Sequence, residues 1–194
     1  MDKLDMLKEI NLDFDAFSSG QISSKLWLCQ ELEKLNNKTP SIIWIYGGWY
    51  GIASLLLLTR EKFPVKHIRS FDIDPACETI ADKLLENWVW QEWKFKAVTA
   101  DCNDISFSNE KPDLVINCST EHFTSIEWFN GIPSNTLVAL QNNNMQHNDH
   151  YSCYDTCDEF ADEYKLKTLK YKGTLDFTYP TWKFSRFMII GNKQ

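Results

Sequence analysis

The stretch from Ser41 to Asp74 constrains the fold more than any other part of the chain. It reads SIIWIYGGWYGIASLLLLTREKFPVKHIRSFDID: an apolar run, a glycine turn, an apolar helical run and a second apolar run that ends at acids. This is the pattern of a βαβ unit of about 30 residues. Glycines let the backbone approach a ligand closely, and an acid after the second strand suits two ribose hydroxyls. The stretch therefore predicts a nucleotide-type binding site on a parallel sheet.

The rest of the chain continues this alternation of apolar strands and helices. Helices are predicted from Ile52 to about Lys62, from Pro75 onward, and near 152–164, and the polar stretch 141–149 is expected to leave the sheet. This order predicts an α/β fold, a three-layer α/β/α sheet. The predicted strands are Ile42–Tyr46, His67–Phe71, Phe95–Thr99, Leu114–Asn117, Leu137–Leu140, Lys167–Tyr171 and Arg186–Ile190.

The N-terminal 38 residues are expected to be helical and to act as a lid or brace on the core that follows. Leu4, Leu7 and Ile10 lie on one short apolar face, and Ser23 or Ser24 is expected to cap a second helix that ends before Pro40. Whether this second helix covers a pocket or forms a dimer face stays open. The sequence shows no repeat and no linker, so 1–194 is expected to form a single domain, with the core at 40–194.

Charge and composition limit the kind of partner. The formal net charge is −7, which argues against broad binding to nucleic acid or to an anionic membrane. The charged N-terminus does not resemble a secretory signal, and the apolar runs are shorter than the ~18 residues that a membrane span needs. We therefore expect a cytoplasmic protein whose six cysteines are reduced.

Four segments, in order, resemble the motifs of the class I S-adenosylmethionine-dependent methyltransferases. IIWIYGGWYG resembles the glycine-rich first motif, SFDIDP the acidic loop after the second strand, VTADCND the acid after the third strand, and DLVINCSTEHF the fourth-strand motif. The C-terminal FMIIG fits the antiparallel final hairpin of that family. The resemblance covers about residues 40–191 and implies a Rossmann-like sheet of seven strands, mostly parallel with a C-terminal antiparallel strand.

The resemblance also implies a methyltransferase activity and assigns cofactor contacts. It places the glycine turn under S-adenosylmethionine, an acid on the ribose, a second acid on the adenine and an asparagine beside the methionine part. Asp72 is the first choice for the ribose and Asp74 the second. The implied residues are Tyr46, Gly47, Gly48, Gly51, Asp72, Ile73, Asp74, Asp101, Cys102 and Asn117.

The glycine turn departs from the family pattern at two positions. Ile45 stands where the family usually has an acid, and Trp49 stands where it usually has a glycine. A tryptophan does not readily adopt positive φ, so the loop is expected to differ in shape from that of the family. A nicotinamide-dinucleotide site is the competing interpretation, but YGGWYG lacks the G-x-G-x-x-G spacing that such a site needs.

The loop after the fourth strand provides candidate catalytic residues. It contains Glu121 and His122, and histidine serves as a base near neutral pH. His150 follows the fifth strand and is expected to reach the mouth of the site beside His122, because loops after parallel strands gather at one edge of the sheet. The alternative is a structural role, in which Glu121 and His122 only stabilise their own loop.

A second pattern, H-x2-H-x2-C-x3-C, leaves two interpretations open. His147, His150, Cys153 and Cys157 carry good zinc ligands at short spacing. However, part of this segment is expected to be helical, and Cys153 and Cys157 would then share one helix face as packing residues. The packing interpretation is favoured over zinc.

Together these features predict an S-adenosylmethionine-dependent methyltransferase that acts on a small molecule rather than on nucleic acid. One alternative keeps the cofactor and transfers its aminopropyl or aminocarboxypropyl group, or methylates an RNA base. An alternative of a different class is a non-catalytic module that binds the cofactor or a partner, with Ile45 and Trp49 as signs of a degraded pocket. The sequence does not predict the acceptor or the oligomeric state.

Overall fold

The computed structural model describes residues 12–35, 39 and 41–194, and its centre is one seven-stranded sheet. The strand order is β3-β2-β1-β4-β5-β7-β6, and β7 runs antiparallel to both of its neighbours. The predicted α/β fold with a mostly parallel sheet and a C-terminal antiparallel strand is confirmed. The strands are β1 (Ser41–Tyr46), β2 (Val65–Asp72), β3 (Phe95–Thr99), β4 (Leu114–Asn117), β5 (Leu137–Asn143), β6 (Thr168–Thr178) and β7 (Lys183–Asn192).

Six α-helices and two 3₁₀ turns connect these strands in the described part of the chain. The 3₁₀ turns cover Phe14–Phe17 and Thr120–His122. The helices are α1 (Ser19–Glu33), α2 (Ile52–Arg60), α3 (Pro75–Leu84), α4 (Glu86–Val89), α5 (Glu127–Asn130) and α6 (Cys157–Tyr164).

The central strands are apolar on both faces because helices cover the sheet on both sides. In β1, Ile43 and Ile45 enter one core together with Leu57 of α2, whereas Trp44 and Tyr46 enter the other core with residues of α5 and α6. Continuous apolar sequence is the expected signature of such a doubly covered strand. β1 therefore lies in the middle of the sheet, and the turn that follows it opens at the carboxyl edge.

The first described helix begins earlier than its sequence predicts. α1 starts at Ser19, and the hydroxyl of Ser18 accepts the Gln21 amide, so Ser18 is the cap rather than Ser23 or Ser24. Ser24 is instead fully buried. The predicted apolar face at Leu4, Leu7 and Ile10 lies outside the described residues.

The end of β5 stays in the sheet, contrary to the expectation that the chain leaves it at Gln141. Gln141, Asn142 and Asn143 are all fully buried in β5, and Asn143 pairs with Arg186 of β7. The side-chain Nε2 of Gln141 donates to the backbone carbonyl of Ser24 at 2.9 Å, and this bond holds α1 over this end of the sheet. The side-chain nitrogen of each of these three residues donates a hydrogen bond, which offsets part of the cost of burying the amides.

None of the helices in the described ranges is long and apolar enough to cross a membrane.

Candidate functional site

The glycine turn after β1 has a backbone that alternates in and out of the left-handed region. Gly47, Trp49 and Gly51 have φ values of +60°, +46° and +76°. The expectation that Trp49 would avoid positive φ is therefore wrong: this residue adopts the conformation that a glycine would have. The amide of Trp49 donates to Oδ2 of Asp72 at 2.8 Å, and this bond to a charged acceptor offsets the strain of the left-handed backbone.

Two glycines of the turn are required by close approach. A Cβ on Gly48 would lie 1.9 Å from Oγ of Ser70, and a Cβ on Gly47 would lie 2.7 Å from Oγ of Ser119. The amide of Gly48 donates to the carbonyl of Phe71 at 3.0 Å. The turn is thus pressed against the ends of β2 and β4, with no room for side chains at these two positions.

The acids after β2 have different roles in the structure. Asp72 is half-buried and faces the glycine turn, where its two oxygens accept the amides of Trp49 and Asp74. Asp74 caps α3, since its Oδ1 accepts the Ala76 amide at 2.9 Å. Ile73 between them is 71% exposed at the same edge. Asp72 thus contacts the glycine turn directly, whereas Asp74 contributes to the start of α3.

The loop after β3 places Asp101 and Cys102 beside the turn. Oδ1 of Asp101 accepts the backbone and side-chain N–H groups of Asn103 at 2.8 and 2.9 Å, and the carboxylate is half-buried. The thiol of Cys102 is buried, and burial raises its pKa to about 12, although a hydrogen bond with the Gly47 backbone acts in the opposite direction. Cys102 therefore stays a neutral thiol under the turn.

Two residues at the ends of β1 and β4 differ in what they expose. The ring of Tyr46 is fully buried and packs edge-to-face on Phe71 and Trp128, so only its main chain reaches the turn. Oδ1 of Asn117 accepts the Ser119 amide at 2.9 Å, while its Nδ2 is buried without a hydrogen-bond partner within the described ranges. Asn117 thus keeps an unused donor at the carboxyl end of β4.

The structure brings Glu121, His122 and His150 together. One potential ligand atom of each lies within 4.8 Å of those of the others, and the two imidazole rings meet edge-to-face with centroids 4.8 Å apart. Glu121 and His122 lie in the 3₁₀ turn after β4, and His150 lies in the loop after β5. The expected position of His150 beside His122 is the position observed.

Two residues that sequence reasoning missed hold Glu121 in place. Its side chain is buried, and its Oε1 accepts Nδ2 of Asn143 at 2.6 Å and lies 3.4 Å from Nη1 of Arg186. Arg186 also donates to the carbonyl of Cys118 at 2.9 Å. The only signal in the sequence was a charged residue inside the apolar run FSRFMIIG.

Lys25 of α1 is a further charged group near this cluster. It is buried, and its Nζ donates to Oε1 of Gln21 at 2.6 Å. Burial lowers the pKa of Lys25 to about 8, against the attraction of Cys118 and Glu121. α1 therefore brings an amine that titrates near neutral pH toward the end of β4.

The four residues of the His/Cys pattern do not come together as a zinc site. Cys157 Sγ donates to the carbonyl of Gly173 at 3.3 Å, whereas Cys153 Sγ donates to the carbonyl of Met145 at 3.1 Å. Helix α6 begins only at Cys157, so the two cysteines also do not share a helix face as expected. Both thiols have a raised pKa because of partial burial.

The geometry defines an α/β protein in which a glycine turn and an acid of the next strand meet at the carboxyl edge of a mostly parallel sheet. No family model and no curated protein matches the sequence. Solved structures do match, and the fold that they share with this chain is that of the S-adenosylmethionine-dependent methyltransferases.

Three solved structures illustrate the similarity in fold. A magnesium protoporphyrin IX methyltransferase from Synechocystis PCC 6803, with bound S-adenosylmethionine, has a TM-score of 0.66 at 11% identity over 98% of each chain. The N-methyltransferase NodS from Bradyrhizobium japonicum WM9 has a TM-score of 0.61 at 11% identity over 89% of this chain and 98% of its own. A plantazolicin methyltransferase in complex with S-adenosylhomocysteine has a TM-score of 0.56 at 13% identity over 88% of this chain and 83% of its own.

Proposed function

We propose that this protein is an S-adenosylmethionine-dependent methyltransferase. The observation that carries the proposal is the bond between the Trp49 amide and Asp72, because it shows that the glycine turn is folded against an acid in spite of the tryptophan. Positive φ at three turn positions and the tight fit of Gly48 against Ser70 give the backbone shape that the fold uses to receive a ligand. These features argue against a degraded, non-catalytic pocket.

The residues around the turn fit the proposed cofactor. Asp72 offers carboxylate oxygens to ribose hydroxyls, and Asp101 offers them to the adenine amino group. The unused Nδ2 of Asn117 supplies a donor for the methionine part of the cofactor, which would satisfy a buried polar atom that has no protein partner among the described residues. Cys102 contacts the backbone of the turn at Gly47, and the main chain of Tyr46 leads into the turn from β1.

The bound cofactor supplies an electrophilic methyl group, and the protein positions a nucleophile, excludes water and removes a proton where the acceptor requires it. We assign the acceptor side to Glu121, His122 and His150. His122 is 41% exposed at the side chain and so is open to an acceptor, while buried Glu121 anchors the turn that carries it.

A row of stacked aromatic rings supports a small-molecule acceptor. Phe177, Phe184, Trp182 and Tyr179 stack at the tip of the β6–β7 hairpin, with neighbouring centroids 4.4–5.3 Å apart. Phe184 and Arg186 are alternate residues of β7 and so share one face of the strand, and Trp182 stacks on Phe184. This flat surface suits an acceptor with an apolar or planar part. Two of the similar structures are named as methyltransferases of magnesium protoporphyrin IX and of plantazolicin, neither of which is a nucleic acid.

We place the protein in the cytoplasm. All six cysteines are free, and four of them are buried where they act as small apolar residues. Unpaired thiols are the rule in reducing compartments.

Calorimetry with S-adenosylmethionine and S-adenosylhomocysteine tests the proposal. Asp72→Ala is expected to weaken binding by about 10- to 100-fold, because hydrogen bonds to a charged group contribute ~1.5–3 kcal/mol each. Asp74→Asn is the matched control: asparagine also caps helices well, so α3 and cofactor affinity are expected to be unchanged. No binding of either compound to the wild-type protein at high micromolar concentration would refute the proposal.

The product of the cofactor identifies the transferred group. Methyl transfer leaves S-adenosylhomocysteine, whereas transfer of the aminocarboxypropyl group leaves methylthioadenosine. Mass spectrometry of the cofactor after incubation with candidate acceptors therefore separates the methyltransferase from its main alternative.

A further inference from the structure

The cluster of Glu121, His122 and His150 has a feature that a general base does not need: three potential metal ligands converge. Within the part of the chain that the structure describes, this is the group of histidine, cysteine and carboxylate residues whose ligand atoms could hold one ion. Two imidazoles and one carboxylate form a donor set that suits zinc and other divalent transition metals, and it leaves a coordination position open.

Both histidines are held in the same tautomer. Nδ1 of His122 lies 3.0 Å from the carbonyl oxygen of Asp149, and Nδ1 of His150 lies 2.7 Å from the carbonyl oxygen of Met145. A carbonyl only accepts hydrogen bonds, so both Nδ1 atoms carry a proton, and in the neutral imidazole each Nε2 keeps a free lone pair. Histidines that bind metals characteristically donate their other N–H to a carbonyl or carboxylate in this way.

Glu121 supplies the third argument. The residue is only 2% exposed, and its Oε1 is held by Asn143 and Arg186. Its Oε2 is buried and has no hydrogen-bond partner among the residues described. A buried carboxylate oxygen in this state is unfavourable unless a ligand compensates it, and a cation between it and the two imidazoles would do so.

The charges around the cluster permit a cation. Arg186 and Lys25 bring positive charge toward Glu121 from one side. On the other side, the carboxylate of Asp149 lies 3.6 Å from Nδ1 of His122 and is also paired with His147. The carboxylate of Asp149, which is 58% exposed at the side chain, thus adds negative charge beside His122.

We propose that Glu121, His122 and His150 bind one divalent transition-metal ion, of which zinc is the representative probe. Three protein ligands would leave a position at which the ion could take an oxygen, nitrogen or sulfur atom of the acceptor. Only this role in orienting the acceptor rests on the proposed methyltransferase function. Binding of the ion itself does not depend on it.

Calorimetric titration of metal-free protein with Zn²⁺ and Mn²⁺, in the absence of cofactor, tests the site. We expect one Zn²⁺ per chain, and weaker binding of Mg²⁺ because that ion prefers oxygen ligands. Glu121→Gln, His122→Ala and His150→Ala are each expected to reduce Zn²⁺ affinity by more than about 100-fold, since even outer partners of a metal site contribute ~10–100-fold. His147→Ala is the matched control in the same loop and is expected to keep wild-type affinity.

A second measurement is independent of affinity. In ¹⁵N NMR spectra of the metal-free protein, His122 and His150 are expected to show the Nδ1–H tautomer, with the Nε2 resonances shifting on addition of Zn²⁺. Absence of Zn²⁺ binding at high micromolar concentration would overturn the proposal, and so would equal binding by the wild type and all three ligand variants. Cofactor titration of the same variants keeps the two proposals apart, because S-adenosylmethionine affinity is expected to be unchanged when the metal site is lost.

Discussion

The contact between Gly48 and Ser70 allows a stringent test of the fit of the glycine turn. Gly48 has an ordinary φ, so alanine at this position is limited by space alone and not by backbone conformation. Its methyl group would lie 1.9 Å from Oγ of Ser70 and 3.2 Å from Cβ of the same residue. Attractive contacts between non-bonded heavy atoms need about 3.5 Å, so the turn must move or Ser70 must rotate.

Overpacking of this kind typically costs ~1–3 kcal/mol. For a chain of this length, a loss of 1 kcal/mol lowers Tm by about 2–4 °C, so Gly48→Ala is expected to lower Tm by roughly 2–12 °C. Thermal unfolding without ligand, followed by circular dichroism, measures the change.

A rescue experiment separates the steric effect from a general loss of stability. Ser70→Ala removes the closest atom and leaves only the contact at 3.2 Å, so the double variant is expected to recover most of the lost stability. Gly131→Ala is the control, because its Cβ would meet no atom nearer than 3.6 Å. A Gly48→Ala protein as stable as the wild type, or a double variant no better than Gly48→Ala, would refute the steric argument.

Three further predictions concern stability. Hydrogen bonds from Lys96 and Thr99 lower the pKa of Glu78 to about 2, so Glu78→Gln is expected to lower the free energy of unfolding at pH 7. In acid unfolding experiments, the difference in stability between wild type and variant should fade as the pH falls from about 4.5 toward 2. Burial lowers the pKa of Lys25 to about 8, so between pH 8 and about 10.5 the unfolded chain binds a proton that the native state does not. Urea unfolding should therefore show the stability of the wild type rising with pH across this range, relative to that of Lys25→Met. Lys165 ends α6 with φ of +42°, so Lys165→Gly is expected to raise stability by up to ~1 kcal/mol in the same assay, and an unchanged or lower midpoint would contradict this.

The sheet could be predicted because its strands are encoded locally. β3 and β4 have the predicted bounds, since runs such as Leu114–Asn117 are apolar on both faces and are bounded by polar residues. The order of glycine turn and acids also placed Asp72 and Asp101 at the same edge of the sheet. Such features depend on neighbouring residues, and so the sequence contains them.

The residues whose position or conformation the sequence did not predict depend on partners that are distant in the chain. Gln141 stays in β5 because its amide reaches Ser24, which is 117 positions away in the chain. Arg186 reaches Glu121 only because β7 pairs with β5 in one particular register. Trp49 adopts positive φ because Asp72 accepts its amide, and intrinsic preference alone predicts the opposite. In each case a contact between residues distant in the chain decides the structure, and the neighbouring sequence does not reveal it.

The position of β6 has a consequence for handling the protein in solution. With eleven residues, β6 is the longest strand and forms one edge of the described sheet, so its outer backbone groups can pair with another extended chain. The exposed side chain of Lys170 places positive charge on this edge strand, whereas Lys172 is paired with Asp158, and charge on an edge strand opposes pairing between copies. Concentrated salt screens those charges, so slow association through this edge is expected to set in at high ionic strength before any loss of the folded core.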